Sequence, residues 1–158
     1  ASLNILRRIT KMELKSLLVD TKTTWVEFPG LDGFEVELAN LSRKELVALR
    51  KRCTSSKFNR KTRGFEESLD DEKFVKEFTE STVKGWKGLK LSYLEDLVLV
   101  NLSGQDTETL LPFTQENAQQ LVENSTEFDN WLNEVVFDLE NFRSEEQRKT
   151  IQKTDPIS

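Results

Sequence analysis

The chain has 158 residues, of which 36% are hydrophobic and 32% charged, and its net charge is −5. This length and composition suit one domain with an apolar core and a solvated exterior, and they exclude disorder throughout the chain. One cysteine, Cys53, and no histidine exclude an internal disulfide and any histidine-based catalytic or metal site, and they are typical of a reducing cytoplasm.

The first segment has helical spacing. Its apolar residues recur at intervals of three and four, and they are Leu3, Leu6, Ile9, Leu14, Leu17 and Leu18. Basic residues interrupt this run at Arg7, Arg8, Lys11 and Lys15, which excludes a membrane span and a signal peptide. We predict an amphipathic helix over residues 1–20 that serves as an oligomerisation or docking arm.

A β-hairpin is predicted next. The stretch from Trp25 to Phe28 is followed by a turn with Pro29, Gly30 and Gly33, and then by alternating apolar and acidic residues from Phe34 to Leu38. The alternation places Glu35 and Glu37 on the solvated face. The opposite face is expected to cover helices with Val26, Phe28, Phe34, Val36 and Leu38.

Ser42 and Glu45 form a capping box that predicts a helix ending at Arg52 or Cys53. Residues 54–64 are polar and lack periodicity, so they are interpreted as a mobile connection. Acidic residues at Asp70 and Asp71 then open a second helix, which Gly85 is predicted to end. Trp86, set between Gly85 and Gly88, is expected to fold back onto that helix.

The second half of the chain is predicted to be helical. Residues 89–102 are apolar and are interpreted as mostly helix, residues 103–110 as a loop, and Thr114 as the N-cap of a helix that buries Leu121 and Val122. A strongly amphipathic helix is predicted from Thr126 through Phe142. The expected fold is α+β and mainly α-helical: an N-terminal helix, a small β-hairpin and a compact helical bundle. Residues 21–146 form the globular domain, and residues 147–158 are a flexible tail.

Charge is unevenly distributed along the chain. Residues 43–63 contain nine basic residues and one acid, whereas residues 105–146 contain eleven acids and one basic residue, Arg143. Such a dipole allows copies to associate head to tail, or one charged face to meet a partner of opposite sign. The alternative is that both regions are simply solvated surfaces.

The sequence offers no constellation suited to catalysis, a metal or a cofactor. Cys53 lies at an apolar helix position and is interpreted as a small buried hydrophobe. Acidic pairs such as Asp70 and Asp71 are adjacent in sequence and point in different directions on a helix. The glycines fit neither a phosphate-binding loop nor a dinucleotide fingerprint. We therefore expect a protein that is not an enzyme and has no cofactor.

A contact patch for a partner is predicted in the basic region. Its members are cationic or aromatic: Arg50, Arg52, Lys57, Phe58, Arg60, Lys61 and Arg63. Other large aromatic residues are expected in the core, namely Trp25, Trp86, Trp131, Phe128 and Phe142. An alternative is a regulatory adaptor that binds nucleic acid through residues 43–63, with Phe58 stacking on a base. The net acidic charge argues against this alternative.

The order and spacing of several motifs resemble the tail assembly chaperones of long-tailed bacteriophages. The motifs, which cover about residues 24–146, are Trp-Val-Glu-Phe-Pro-Gly (25–30), Gly-Phe-Glu-Val (33–36), Leu-Ser-Arg-Lys-Glu-Leu (41–46), Val-Lys-Gly-Trp-Lys-Gly-Leu (83–89), Leu-Pro-Phe-Thr-Gln-Glu-Asn-Ala (111–118) and Phe-Asp-Asn-Trp (128–131). Residues 3–18 and the tail after residue 148 lie outside the resemblance.

The resemblance implies a protein that works in the cytoplasm of an infected bacterium during virion assembly. Such a chaperone coats the long, helical tape measure protein, helps to recruit tail tube subunits, and leaves as the tube polymerises. Self-association into a ring or spiral is implied as well, with no membrane role and no catalytic residues.

Overall fold

The computed structural model describes residues 12–18 and 23–143. Only the end of the predicted N-terminal helix falls within these ranges, where helix α1 spans Leu14–Leu17. The rest of that predicted helix, residues 1–11 and 19–20, lies outside the described residues, and so does the predicted tail at 147–158.

The described chain alternates between short strands and helices. In chain order the elements after α1 are β1 (Thr23–Glu27), β2 (Glu35–Ala39), α2 (Arg43–Cys53), β3 (Thr54–Asn59), β4 (Gly64–Leu69), α3 (Asp71–Thr82), β5 (Val83–Lys87), α4 (Leu91–Leu97), α5 (Gln115–Asn124), α6 (Thr126–Val136) and a 3-10 helix (Leu139–Phe142). The predicted α+β class is confirmed. The strands form two small antiparallel sheets, so the prediction of a single hairpin underestimated the number of strands.

The larger sheet has the order β1-β2-β5, and its first two strands are the predicted hairpin. Val26 lies opposite Val36, and Val36 lies opposite Trp86, so these three side chains share the buried face. The prediction of a helix stop at Gly85 was wrong. Helix α3 ends at Thr82, and residues 83–87 pair with β2 as a strand that carries Trp86 into the core instead of back onto the helix.

The core lies between the sheet and the helices and is rich in aromatic rings. Phe28 contacts Phe34, Phe128 and Trp131, with ring centroids 5.8, 6.0 and 4.9 Å apart respectively. Phe34 and Phe128 are fully buried. The helices therefore pack against the sheet through rings supplied by the β1–β2 turn and by α6, which ties the two halves of the chain together.

Two turns meet closely behind this core. Gly88 follows β5 with φ of +74°, and a Cβ atom there would lie 2.0 Å from the carbonyl oxygen of Gly33 in the β1–β2 turn. Only glycine satisfies both the positive φ and the close backbone approach. The Gly88 position is therefore fixed by two independent constraints.

The predicted helix starts are confirmed. The hydroxyls of Ser42 and Thr114 accept hydrogen bonds from the backbone N–H groups of Glu45 and Asn117, both three residues later. Ser125 caps α6 in the same way through Phe128. Helix starts could thus be predicted because capping depends on residues that are close in sequence.

Three details differ from the predictions. Helix α6 ends at Val136 rather than continuing through Phe142, because Asp138 starts a separate 3-10 helix by accepting from the N–H of Glu140. The predicted helix over 89–102 is limited to Leu91–Leu97. Trp25, predicted to be core, is 44% exposed on the open face of the sheet, where the ammonium of Lys87 lies 4.7 Å from the centre of its ring.

Candidate partner-binding site

Residues 54–64 were predicted from the sequence to be a mobile connection, and this prediction was wrong. Residues 54–69 fold into a second antiparallel hairpin, β3–β4, in which Thr54 lies opposite Leu69 and Phe58 lies opposite Phe65. Its strands contact mainly each other, and most of their side chains are exposed on both faces. At about 3.4 Å per residue, the six residues of β3 carry the tip of this hairpin roughly 20 Å from its base.

The base of the hairpin is anchored to the helices. The N–H of Asp70 donates to the carbonyl of Cys53 at 2.8 Å, and the ammonium of Lys73 donates to the carbonyl of Arg52 at 2.9 Å. Glu77 on α3 joins the two sides, since it accepts from Cys53 Sγ at 2.9 Å and pairs with Arg52 Nε at 3.4 Å. These contacts hold the hairpin where α2 and α3 meet.

Electrostatics at the base make Cys53 a poor nucleophile. Burial, the hydrogen bond to Glu77 and the charge of that carboxylate raise the pKa of the Cys53 thiol to about 11. The pKa of Glu77 is lowered mainly by the hydrogen bond from Cys53 and, to a smaller extent, by the one from Arg52. Cys53 is buried, as its helix position indicated, although it also donates a hydrogen bond to Glu77. Because the thiolate is the reactive form, the raised pKa makes this thiol unreactive.

The tip is shaped by a four-residue turn, residues 60–63. Arg63 has φ of +53° and precedes Gly64, and the N–H of Lys61 donates to Asn59 Oδ1 at 2.9 Å. Asn59 in turn donates to Glu66 Oε1 at 2.6 Å, which links the two strands next to the turn. This local bonding orders the tip without help from the rest of the protein.

Two aromatic rings are exposed at the tip. Phe58 is 56% exposed and Phe65 is 76% exposed, and their ring centroids lie 5.6 Å apart in an edge-to-face arrangement. The rings shelter one another but are not buried against the helices. They form an apolar spot among the polar side chains of the hairpin's distal half.

The structure divides the predicted contact patch into two groups. Lys57, Phe58, Arg60, Lys61 and Arg63 lie together on the distal half of the hairpin and its turn. Arg50 and Arg52 lie on the last turn of α2, at the base, and Arg52 is engaged by Glu77. We call Phe58, Phe65 and the four basic residues of the first group the hairpin tip.

Phe65 was missed in the sequence. Its partner across the strands is Phe58, and two aromatic residues placed on either side of a basic turn are the signal that could have revealed the pair. The tip also carries acids, since Glu66 and Glu67 follow Phe65 on β4. The surface is therefore mixed, with rings and cations beside carboxylates.

A second candidate surface is an apolar groove of about 450 Å³ between α4 and α5. Its lining is mostly aliphatic, and it comprises Leu94, Val98, Leu99, Val100, Leu111 and Leu121 with the amides of Asn117, Gln120 and Asn124. We call it the α4–α5 groove. It has no titratable side chain in its lining.

Among residues 12–18 and 23–143, no cluster of three or more His, Cys, Asp or Glu side chains is placed to hold a metal ion. In the same part of the chain, no helix is both long enough and apolar enough to cross a membrane.

Comparison with known proteins gives one result. The family model described as YdaY prophage protein matches residues 42–153, which run from the N-cap of α2 through both candidate surfaces. No curated protein and no solved structure matches the chain significantly.

Proposed function

This chain belongs to the YdaY prophage protein family, and we propose that it is a tail assembly chaperone. In this role it binds and solubilises the tape measure protein and helps to recruit tail tube subunits. It acts in the cytoplasm of the infected bacterium, catalyses no reaction and is absent from the finished virion. The phage origin of the family and the motif resemblance of residues 24–146 both support the proposal.

The observation that carries the proposal is the exposed aromatic pair at the hairpin tip. Phe58 and Phe65 cost solubility and contribute little to the core, since they lie outside the core cluster and stay exposed beside each other. Exposed aromatic residues within a polar surround are typical of protein-binding surfaces, where rings of this kind supply much of the binding energy.

The chemistry of the tip suits a helical client. The rings fit the apolar stripe of an amphipathic helix, while Arg60 and Arg63 in the adjoining turn can meet acidic residues that flank such a stripe. Two rings bury only a small area, so one copy binds weakly and many copies along a long client are needed. Weak contacts also permit displacement when the tail tube polymerises.

The proposal is tested by co-expressing the protein with the tape measure gene of the same prophage and measuring how much of the client remains soluble. We expect a Phe58→Ala/Phe65→Ala variant to lose most of the solubilising effect while keeping the melting temperature of the unmodified protein. The matched control is Leu110→Ala/Leu139→Ala, which removes two exposed apolar side chains outside the hairpin. Equal solubilisation by the unmodified protein and the hairpin variant would contradict the proposal.

Absence from the virion is measured separately. Mass spectrometry of purified particles should detect tail tube and tape measure proteins but only traces of this chain. Incorporation at a fixed stoichiometry would identify a structural component instead of a chaperone.

The combination of rings and cations at the tip also favours a second candidate, a regulatory adaptor that binds nucleic acid. Base stacking on Phe58 and phosphate contacts from Arg60 or Lys61 would give affinity that falls steeply with salt. A gel-shift titration separates the two functions. It runs from about 50 to 200 mM salt, the range over which phosphate contacts lose most of their affinity. The chaperone predicts weak retention without sequence preference, and the adaptor predicts a preferred sequence.

A further inference from the structure

Strand β1 has an outer edge with which no described residue pairs. It is the first strand in the order β1-β2-β5, so β2 lies on one side of it only. The N–H of Phe28 donates to the carbonyl of Phe34 at 2.9 Å, and hydrogen-bonded pairs alternate along an antiparallel ladder. Val26 therefore bonds to β2, whereas the N–H and C=O groups of Trp25 and Glu27 point away from it. An edge of this kind is a template for a further strand.

The sheet face beside this edge is acidic and carries one exposed ring. Trp25 is 44% exposed, and the ammonium of Lys87 lies over its ring from β5. Three carboxylates share the face with this ring, those of Glu27, Glu35 and Glu37. Lys87 pairs with Glu35 at 3.1 Å, but Glu27 and Glu37 have no ion-pair partner among the described residues. A strand added at the edge therefore meets an apolar ring close to unpaired carboxylates.

Residues 148–153, which lie outside the described part of the chain, have a complementary sequence. It is Arg-Lys-Thr-Ile-Gln-Lys, with three basic residues and no acid. Because side chains alternate along a strand, Lys149, Ile151 and Lys153 share one face when this segment is extended. Both Thr150 and Ile151 are β-branched and favour strands. An apolar side chain between two cations matches the ring and carboxylates of the sheet in polarity and in charge.

The described chain ends close to β1. The 3-10 helix Leu139–Phe142 contacts β1, and Phe142 packs against the core. From Arg143, six extended residues span up to about 20 Å. Strand β1, with five residues, is roughly 17 Å long. Lys149 is therefore within reach of either end of β1.

We propose that residues 148–153 add to the outer edge of β1 as a fourth strand of the same chain, with Ile151 beside Trp25. The segment pairs with the outward N–H and C=O groups of β1, and its two lysines lie beside the unpaired carboxylates. The short connection from the 3-10 helix gives the segment a high effective concentration at its own edge, which favours it over a separate molecule. The added strand covers the ring and closes the edge to pairing with other proteins.

Hydrogen exchange of the full chain, followed by NMR, tests the proposal at single residues. The amides of Trp25 and Glu27 should exchange at least about tenfold more slowly than in an Ile151→Pro variant, because proline removes a donor and the apolar contact. Ile157→Pro, the same substitution outside the segment, is the matched control and should keep the slow exchange. The Val26 amide, which bonds to β2, should exchange slowly in all three proteins. Equal exchange at Trp25 in the two variants, or fast exchange in the unmodified chain, would overturn the proposal.

The same measurement separates pairing within one chain from pairing between copies. Exchange at Trp25 should be independent of protein concentration, and slowing that increases with concentration would overturn the proposal. No client is present, so the result does not depend on the proposed function.

The charges of the segment are tested by a pair of variants with equal changes in net charge. Lys149→Gln/Lys153→Gln should speed exchange at Trp25 by about threefold, because it removes the contacts with the carboxylates. Lys57→Gln/Lys61→Gln, on the β3–β4 hairpin, should leave it unchanged. Equal effects of the two double variants would overturn the placement of the lysines beside the sheet.

Discussion

Aromatic residues are used in opposite ways in the two parts of this molecule. In the body, made of the three-stranded sheet and the helices, Phe28, Phe34 and Phe128 pack in one buried cluster. In the β3–β4 hairpin, Phe58 and Phe65 pack against each other and remain exposed. The spacing between rings is similar in both places, but only the first cluster removes a large apolar area from water. The first therefore stabilises the fold, and the second is available for a partner.

The largest effect on the free energy of unfolding is expected when one ring is removed from each of the two parts. Phe128→Ala should lower the free energy of unfolding by about 3–5 kcal/mol, because it deletes a fully buried ring and leaves a cavity. Phe65→Ala, the matched change in the hairpin, should alter it by less than about 0.5 kcal/mol. Urea unfolding followed by circular dichroism measures both. Similar losses from the two variants would mean that the hairpin is an integral part of the core.

The body should also be destabilised by a substitution at Gly88, where two turns come into close contact. Gly88→Ala is expected to cost at least about 2 kcal/mol, since the new Cβ would meet the Gly33 carbonyl and the residue must keep a positive φ. Gly104→Ala is the control, because Gly104 has φ of +77° but a Cβ added there would meet no atom within 4 Å. Its cost should be about 1 kcal/mol. Equal losses of unfolding free energy in the two variants would show that the positive φ, and not the close approach to Gly33, determines the cost of the substitution.

The junction between body and hairpin should respond to pH. The Cys53 pKa is raised from 9.0 to about 11 in the folded state, so the folded protein holds this proton more tightly than the unfolded chain does. The contribution of this bound proton to the free energy of unfolding is complete below pH 9 and is lost as the pH rises through 11. At pH 10 the loss is about 1 kcal/mol. Unfolding free energies at pH 8, 9 and 10 measure the effect. Cys53→Ala should flatten this dependence, and an unchanged slope would contradict the assignment.

The smallest expected effect concerns two buried threonines on α3. The Thr82 hydroxyl donates to the carbonyl of Phe78 at 2.7 Å, whereas the Thr79 hydroxyl has no hydrogen-bond partner among the described residues. Thr79→Val should therefore raise the free energy of unfolding by about 0.5–1 kcal/mol, and Thr82→Val should lower it by a similar amount. Thermal unfolding of the two variants side by side measures the difference. Destabilisation by both would indicate that Thr79 has a partner in solution.

The sequence predicted those parts of the fold that depend on neighbouring residues. The caps at Ser42 and Thr114 and the alternating strand from Phe34 to Leu38 are local signals, and all three were found. Strand β5 was missed because its pairing with β2 joins residues about fifty positions apart. The β3–β4 hairpin was missed because a hairpin exposed on both faces has no burial period to read.

The candidate site could be predicted only in part for the same reason. Charge counting grouped Lys57, Arg60 and Arg63, which the structure places on the distal half of one hairpin, with Arg50 and Arg52, which lie on α2. It missed Phe65, whose role depends on the strand register. It also missed the α4–α5 groove, since the exposure of Leu99 is set by helix packing and not by its own neighbours in sequence.

The hydrogen bond between the Asp70 N–H and the Cys53 carbonyl, at 2.8 Å, closes the base of the β3–β4 hairpin. The two ends of the β3–β4 hairpin are already adjacent, so the intervening residues behave as a detachable module inserted between two helices. Replacing residues 55–68 with a short turn should leave the body folded.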